Sequence, residues 1–245
     1  MIEKLDAFAG AFAALAAFHL RPAPDGVVAQ VVSTLSEWPV PENAEIVRGK
    51  QLILASAEGG EDEYTRWRDQ DLLYGITASA KVPPYESVHR GEDHLIFDTQ
   101  TVQVRRAFFE MGYEAPKIGH EPDDHIGLEL DFLSKCCLRA ADLLEDGEGE
   151  KAEEVLAATV NFTTDHFLQW VPGMLEAAAQ NAQTQWVQGI MWLSAGSCAA
   201  WEEFLLDSGY LAEKVTVVPN NSEDGRVFIG EPVRLGKKAK WLADL

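Results

Sequence analysis

The sequence predicts an all-α protein, and two observations support this fold class. Apolar residues recur at helical spacing along most of the chain, whereas the strict alternation that is typical of strands is nearly absent. Breaks rich in Pro, Gly and acidic residues divide these stretches into about nine or ten helices with mostly short connections, as in helical bundles. We therefore predict one multi-helix domain over residues 1–210 and an irregular C-terminal extension over 211–245.

Capping signals support the individual helices. Asp25 is the expected N-cap of the second helix, Asp98 that of the fifth, and Asp123 or Asp124 that of the sixth, because an Asp side chain accepts hydrogen bonds from free helix amides. Gly112 is expected to end the fifth helix. The helices are predicted at residues 1–20, 27–38, 44–57, 61–76, 99–111, 123 or 124 to 144, 151–167, 171–181 and 185–207.

The charge balance restricts the class of partner. The chain has 20 basic and 40 acidic residues, and thus a net charge of −20. Such a surface repels nucleic acid and anionic lipid and favours basic partners. The apolar N-terminus lacks the positive start of a signal peptide, since Glu3 and Asp6 outweigh Lys4. No apolar stretch has transmembrane length, so we expect a cytoplasmic protein without stable membrane insertion.

A metal site is one interpretation of the stretch at 121–129. Glu121, His125 and Glu129 are spaced four residues apart and would share one face of a helix, and His166 on another helix could add a ligand. Against this, Pro122 is expected to place Glu121 before the helix begins. The alternative function left open is a metal-dependent all-α enzyme that uses His125, Glu129 and His166.

Other catalytic signals are weak. His125 beside Asp124 could act as an oriented base, but the chain has no nucleophile elbow, P-loop or dinucleotide fingerprint. A plain capped helix start, with Pro122 as its rigid lead-in, explains the acids equally well. We therefore predict no catalytic residues and no resident cofactor.

The stretch "VRRAFFE" at 104–110 is similar to the core of a twin-arginine export signal, in which an aromatic residue follows a pair of arginines. Here the pair lies in the middle of the chain, on a predicted amphipathic helix, and no apolar run follows it. We therefore interpret Arg105 and Arg106 as surface residues rather than as part of an export signal.

Four stretches in this order resemble the TorD/DmsD family. They are "LLYGITASAKVPPYESVH" (72–89), "LIFDTQTVQVRRAFFEMGYE" (95–114), "EPDDHIGLELDFLSKC" (121–136) and "DHFLQWVPGMLEAA" (165–178). The resemblance covers about residues 5–210 and implies the all-α fold of that family. It also implies a cytoplasmic chaperone that binds the twin-arginine signal peptide and the apoprotein of a molybdopterin-dependent oxidoreductase and delays export until the molybdenum or tungsten cofactor is inserted. Weak GTP binding and either a monomer or a domain-swapped homodimer are implied as well.

The resemblance also implies a signal-peptide-binding site. Glu121 and Asp124 are expected to meet the arginines of the leader, with His125 shaping this acidic site. Tyr74 and Tyr85 belong to the part that would receive the apolar run. The matching positions are Leu73, Tyr74, Pro84, Tyr85, Ser87, His89, Glu121, Pro122, Asp124 and His125. A further alternative is a scaffold that binds a folded partner without recognising leaders.

Overall fold

A computed structural model describes residues 1–75, 79–115 and 122–217. In these ranges the regular secondary structure is helical, which confirms the predicted all-α class. No helix in them is both long enough and apolar enough to cross a membrane. The α-helices are α1 (Ile2–Leu20), α2 (Asp25–Thr34), α3 (Ala44–Gly59), α4 (Glu63–Tyr74), α5 (Glu86–Arg90), α6 (Thr99–Glu110), α7 (Ile126–Glu145), α8 (Gly149–Phe162), α9 (Leu168–Asn181) and α10 (Gln185–Asp207).

The first helix lies at the centre of the packing. It runs along α7, while α10 packs against α3 and α9 and also contacts α1. Phe8 and Phe12 on α1 meet Trp201 on α10 in edge-to-face pairs, with ring centroids 5.0 and 5.6 Å apart. All three rings are at most 2% exposed. Aromatic pairs of this geometry add to the energy of apolar burial. The apolar face of the first helix therefore forms part of the core of the bundle.

Glycine permits the close crossing of α3 and α10. A Cβ atom on Gly49 would lie 2.6 Å from the amide nitrogen of Leu193, and one on Gly189 would lie 2.7 Å from a side-chain carbon of Ile53. Neither position can hold a side chain unless the helix backbones move apart. The two glycines thus set the distance between these helices.

Two of the predicted signals around α6 are confirmed. Asp98 is the N-cap of α6, and its carboxylate accepts a hydrogen bond from the amide of Thr99 at 2.7 Å. Gly112 follows the helix with a φ of 72°, which is the left-handed conformation that glycine adopts easily.

Two of the predicted N-caps are wrong. The N-cap of α2 is Pro24, and Asp25 in the first turn binds Arg66 instead, at 2.5 Å. The N-cap of α7 is His125 rather than Asp123 or Asp124, and its Nδ1 atom accepts a hydrogen bond from the amide of Gly127 at 3.0 Å. Both aspartates fail to cap α7 because their carboxylates bind partners on other helices.

The predicted break between residues 167 and 171 is absent. A π-helical segment, Thr163–Phe167, joins α8 directly to α9, and Pro172 lies inside α9. Proline has no N–H group to donate to the carbonyl four residues earlier. The helix nevertheless continues, because Trp170, Val171 and Met174 are buried in the core. Single π turns of this kind occur often at functional sites.

Candidate functional site

Two segments that are distant in sequence meet in an isolated antiparallel bridge between Tyr85 and His125. The amide of Glu86 donates to the carbonyl of Asp124, and the amide of Ile126 donates to the carbonyl of Pro84, both at 2.9 Å. We call the pairing of residues 83–90 with residues 122–126 the seam. It joins two of the motifs that carried the resemblance.

Asp124 connects three helices from the interior of the protein. It is completely buried. One carboxylate oxygen accepts a hydrogen bond from the amide of Ser87, and the other accepts one from the hydroxyl of Thr101, each at 2.7 Å. Burial raises the pKa of this carboxyl, and the bonds from Ser87 and Thr101 oppose that rise. Asp124, which is expected to meet an arginine of the leader, is enclosed in this structure and holds α5 and α6 against the start of α7.

Asp123, the neighbour of Asp124 in the sequence, already forms an ion pair with an arginine. The Nε and Nη2 atoms of Arg105 lie 2.9 and 2.5 Å from the same carboxylate oxygen of Asp123. The carboxylate is 1% exposed, whereas the side chain of Arg105 is 38% exposed. The interpretation of Arg105 as a surface residue overlooked this partner, because Asp123 lies 18 residues further along the chain.

A buried network of charged and polar groups extends the seam towards α9. Glu86 is completely buried, and its carboxylate binds the Nδ1 atom of His166 at 2.9 Å and the guanidinium group of Arg90. Arg90 also donates to the carbonyl of Asp165 at 2.7 Å. These contacts fix α5 to the π-helical segment.

Glu129 is the least satisfied acid of this network. It is completely buried, and one of its oxygens accepts a hydrogen bond from the indole nitrogen of Trp170 at 3.2 Å. The other oxygen has no hydrogen-bond partner in the described part of the chain. Burial raises the pKa of Glu129 well above its ordinary value, and the nearby charges of Glu86 and Asp124 raise it further. Glu129 therefore favours the neutral, protonated form.

The ten predicted site residues fall into three groups. Six are buried: Leu73, Tyr74, Pro84, Ser87, Pro122 and Asp124. Three are partly exposed: Tyr85, His89 and His125. Glu121 lies outside the described residues. The seam brings together most of these residues, but as a largely interior structure rather than as an open pocket.

The aromatic members make ring contacts with one another and with neighbouring residues. Tyr85 and His125 are in an edge-to-face contact with ring centroids 5.2 Å apart. Behind them Tyr74 is buried, and its hydroxyl lies 2.5 Å from the Nδ1 atom of His19. On the other side His89 stacks on Trp170 with ring centroids 5.3 Å apart. Burial lowers the pKa of both His89 and His125 to about 4, so both rings are neutral at pH 7.

The three residues of the metal-site alternative have other partners. His125 caps α7, Glu129 accepts from Trp170, and His166 binds Glu86. Within residues 1–75, 79–115 and 122–217, no three His, Cys, Asp or Glu side chains converge as a ligand set. Their geometry thus gives the metal-dependent alternative no support.

An open groove of about 620 Å³ lies beside the seam, between α6, α8 and the π-helical segment. We call it the groove. Its apolar lining residues are Ala107, Met111, Phe132, Ala158 and Phe162. Its charged or titratable lining residues are Arg90, Arg106, Glu110, Asp165 and His166. Because Arg90 and His166 also bind Glu86, the buried network reaches the wall of the groove.

Sequence reasoning missed Glu86, the pairing of Asp123 with Arg105, and the groove. It treated Glu129 as a possible metal ligand, although this acid shares a helix face with Ile126, Leu130 and Leu133. An acid at helical spacing within an apolar face indicates a buried carboxylate. Glu86 offered no comparable signal, because its burial depends on the π-helical segment that covers it.

Comparison with known proteins identifies a matching family model and several relatives. Residues 55–176, which contain the seam and all the lining residues of the groove, match the family model described as nitrate reductase delta subunit. The chain is similar to "Chaperone protein TorD" of Photobacterium profundum, with 30% identity over 105 residues, or 43% of this chain and 47% of that protein. It is also similar to the protein of that name from Vibrio parahaemolyticus, with 26% identity over 128 residues, or 52% and 55% of the two chains. The chain thus spans about half the length of these relatives in the matches.

Proposed function

The chain belongs to the TorD/DmsD family of chaperones, and from that membership we propose that it is a cytoplasmic maturation chaperone for a molybdenum- or tungsten-cofactor oxidoreductase. It binds the twin-arginine signal peptide and the apo form of that client, assists cofactor insertion and delays export until folding is complete. It acts by binding alone, without catalytic residues or a cofactor of its own, as a monomer or a domain-swapped homodimer.

The observation that carries this proposal is that α6 contacts the seam on one side and lines the groove on the other. A twin-arginine leader has a basic segment followed by an apolar, helix-prone run. Its binding requires carboxylates for the guanidinium groups and an apolar surface for the rest. Asp123 lies on one flank of α6, and the apolar residues of the groove lie on the other. One side of the protein therefore carries both a carboxylate for a guanidinium group and an apolar surface for the rest of the leader.

The predicted site residues take different parts in this proposal. The partly exposed rings of Tyr85, His89 and His125 contact the leader, and Tyr85 can also stack on a guanidinium group. Asp124 acts as a positioning residue, because its hydrogen bonds to Ser87 and Thr101 hold the walls of the site. The remaining buried positions, Leu73, Tyr74, Pro84 and Pro122, support those walls. Glu121, outside the described residues, stays proposed as an acidic partner of the leader.

Calorimetric titration of the full chain with a synthetic twin-arginine leader tests the proposal. We expect binding that weakens as salt is added, because a chain of net charge −20 attracts a basic peptide partly through long-range fields. A leader with lysines in place of the two arginines should bind more weakly, since lysine lacks the planar fork of donors. Equal affinity for the two leaders would overturn the proposal.

A matched pair of variants tests the groove. Ala158 on α8 lines the groove, whereas its neighbour Ala157 is exposed and does not line it. Ala158→Trp should fill the groove and weaken leader binding about tenfold or more, a loss of about 1.4 kcal/mol or more. Ala157→Trp adds the same side chain elsewhere and should leave the affinity unchanged. An unchanged affinity for both variants would exclude the groove from the binding site.

A further inference from the structure

The pair formed by Asp123 and Arg105 is asymmetric. The carboxylate is 1% exposed, while the guanidinium side chain that covers it is 38% exposed. If Arg105 turned outward, it would move into solvent that it already touches, and it would leave Asp123 with an open side. A second guanidinium group arriving from outside could take the same position, so that the carboxylate would not remain buried without a partner.

Two apolar side chains beside this pair are uncovered. Val102 is 63% exposed and Phe109 is 79% exposed, the highest exposure among the large apolar side chains described. The two residues are seven positions apart on α6 and so lie on one helix face. By the same geometry, Arg105 lies on one flank of that face, and the groove residues Gln103, Ala107 and Glu110 lie on the other. We call Val102 and Phe109 the ridge.

We propose that Asp123 is the subsite for an arginine of the leader, and that Arg105 occupies this subsite until the leader displaces it. This inference rests on the proposed function and names the acid, the internal competitor and the path of the peptide. The leader crosses the ridge, with its arginine on Asp123 and its apolar run in the groove. The sequence of α6 is similar to that of the expected ligand. Arg105 and Arg106 are followed by Phe108 and Phe109, as the arginine pair of an export signal is followed by an aromatic residue.

An internal competitor makes the site selective. Arg105 is tethered beside Asp123, so its effective concentration is high and a weak ligand cannot replace it. A peptide with lysine offers one strongly hydrated ammonium group, whereas the leader arginine offers the same fork of donors that it displaces. An arginine of the leader can bind only where Arg105 has left the subsite. The apparent affinity for the leader is therefore the intrinsic affinity multiplied by the fraction of molecules in which the subsite is free.

Titration of full-length variants with the twin-arginine leader tests the inference. Arg105→Gln removes the competing charge and should tighten leader binding about fivefold. Asp123→Asn should weaken it about tenfold or more, because an arginine of the bound leader loses its ionic partner. The double variant should bind no more tightly than Asp123→Asn alone, since the gain from removing Arg105 requires the carboxylate. Arg68→Gln makes the same substitution at an exposed position on α4 and should change nothing.

Two further variants guard against a folding artefact. Arg105→Lys keeps the positive charge but loses the fork, and should give a smaller gain in affinity than Arg105→Gln. Phe109→Ser changes an exposed residue, should leave the melting temperature unchanged, and should weaken leader binding about fivefold. If Phe109→Ser instead dissociates a dimer and leaves the affinity for the leader unchanged, the ridge is a self-association surface and the inference is wrong.

The possible failures are distinguishable. If the wild-type chain binds the arginine and lysine leaders equally, the proposed function fails. If the wild type prefers the arginine leader but Arg105→Gln does not tighten binding, or the gain persists in the double variant, the inference fails and the proposed function stands.

Discussion

Buried carboxylates secure two junctions of this protein in different ways. Where α4 meets the start of α10, Asp69 accepts hydrogen bonds from the amide of Gln183 and from both the amide and the hydroxyl of Thr184, at 2.7 to 3.0 Å. At the seam, Asp123 is held by a partly exposed arginine, and in the buried network beside it Glu129 has one oxygen without a partner in the described part of the chain. No external group can replace the backbone donors of the first junction. At the seam, the donor to Asp123 is the guanidinium group of Arg105, which another guanidinium group can replace. We therefore assign a structural role to Asp69 and a binding role to the seam.

The largest effect is expected from the Asp69 junction. Asp69→Ala leaves the buried amide and hydroxyl of Thr184 without their acceptor, which should lower the free energy of unfolding by about 3 kcal/mol or more. Denaturation by urea measures the loss. Asp6, which is exposed on α1, provides the control, and Asp6→Ala should stay within about 0.5 kcal/mol of the wild type. Similar small losses for both variants would contradict the structural role of Asp69.

Glu129 should make stability depend on pH in a defined direction. Below its ordinary pKa of 4.5 it is protonated in both the folded and the unfolded chain. As the pH rises above that value, the unfolded chain releases the proton while the folded chain keeps it, so the wild type loses stability.

Glu129→Gln cannot ionise and should gain stability relative to the wild type as the pH rises, by up to about 1.4 kcal/mol per pH unit. Urea denaturation of both proteins across neutral and mildly acidic pH measures this difference. Glu110→Gln is the control, because Glu110 is 59% exposed. A difference between the Glu129→Gln variant and the wild type that stays constant with pH would contradict the buried, protonated state.

The cap of α7 should give a smaller effect. His125→Ala removes the acceptor for the amide of Gly127 and should cost about 1 kcal/mol at pH 7. His125→Asn keeps an acceptor and should stay close to the wild type.

The loss of stability at acidic pH provides a second test of His125. The pKa of His125 is lowered from 6.5 to about 4 by burial, so between these values the unfolded chain takes up a proton that the folded chain does not. The wild type should therefore lose stability as the pH falls through this range, and the Asn variant should lose less. An equal loss of stability at acidic pH in the two proteins would be inconsistent with a His125 that stays neutral in the folded chain.

The smallest effect is expected from Arg106. It pairs with Glu110 on the surface of α6, and the two side chains are 81% and 59% exposed. Arg106→Gln should change the free energy of unfolding by less than about 0.5 kcal/mol. The same urea measurement applied to Arg105→Gln should show a clearly larger loss, because that variant leaves Asp123 buried without its partner. Equal losses would remove the distinction between the two arginines.

The predictable part of the fold was the part encoded locally. Helical periodicity and the signals at Asp98 and Gly112 located α6 correctly, because each acts within a few residues of the chain. The N-cap of α7 was not predictable in this way. Asp123 and Asp124 are both good caps, but Arg105 and Thr101, about 20 residues upstream, bind their carboxylates.

The candidate site shows the same limit. The motifs correctly brought Tyr85 and His125 into one region, and the bridge between them follows from no local pattern. Sequence alone could not show that Asp124 is buried while Asp123 faces a replaceable arginine. That distinction depends on how α6 crosses the start of α7, which is a property of tertiary packing.

Amide hydrogen exchange of the full chain, with and without the twin-arginine leader, tests the central assignment most directly. Our account predicts slower exchange on leader binding in residues 83–90, 99–110 and 122–129, and no change around Asp69 and Thr184. Protection at the α4–α10 junction with none at the seam or α6 would contradict the assignment of binding to the seam.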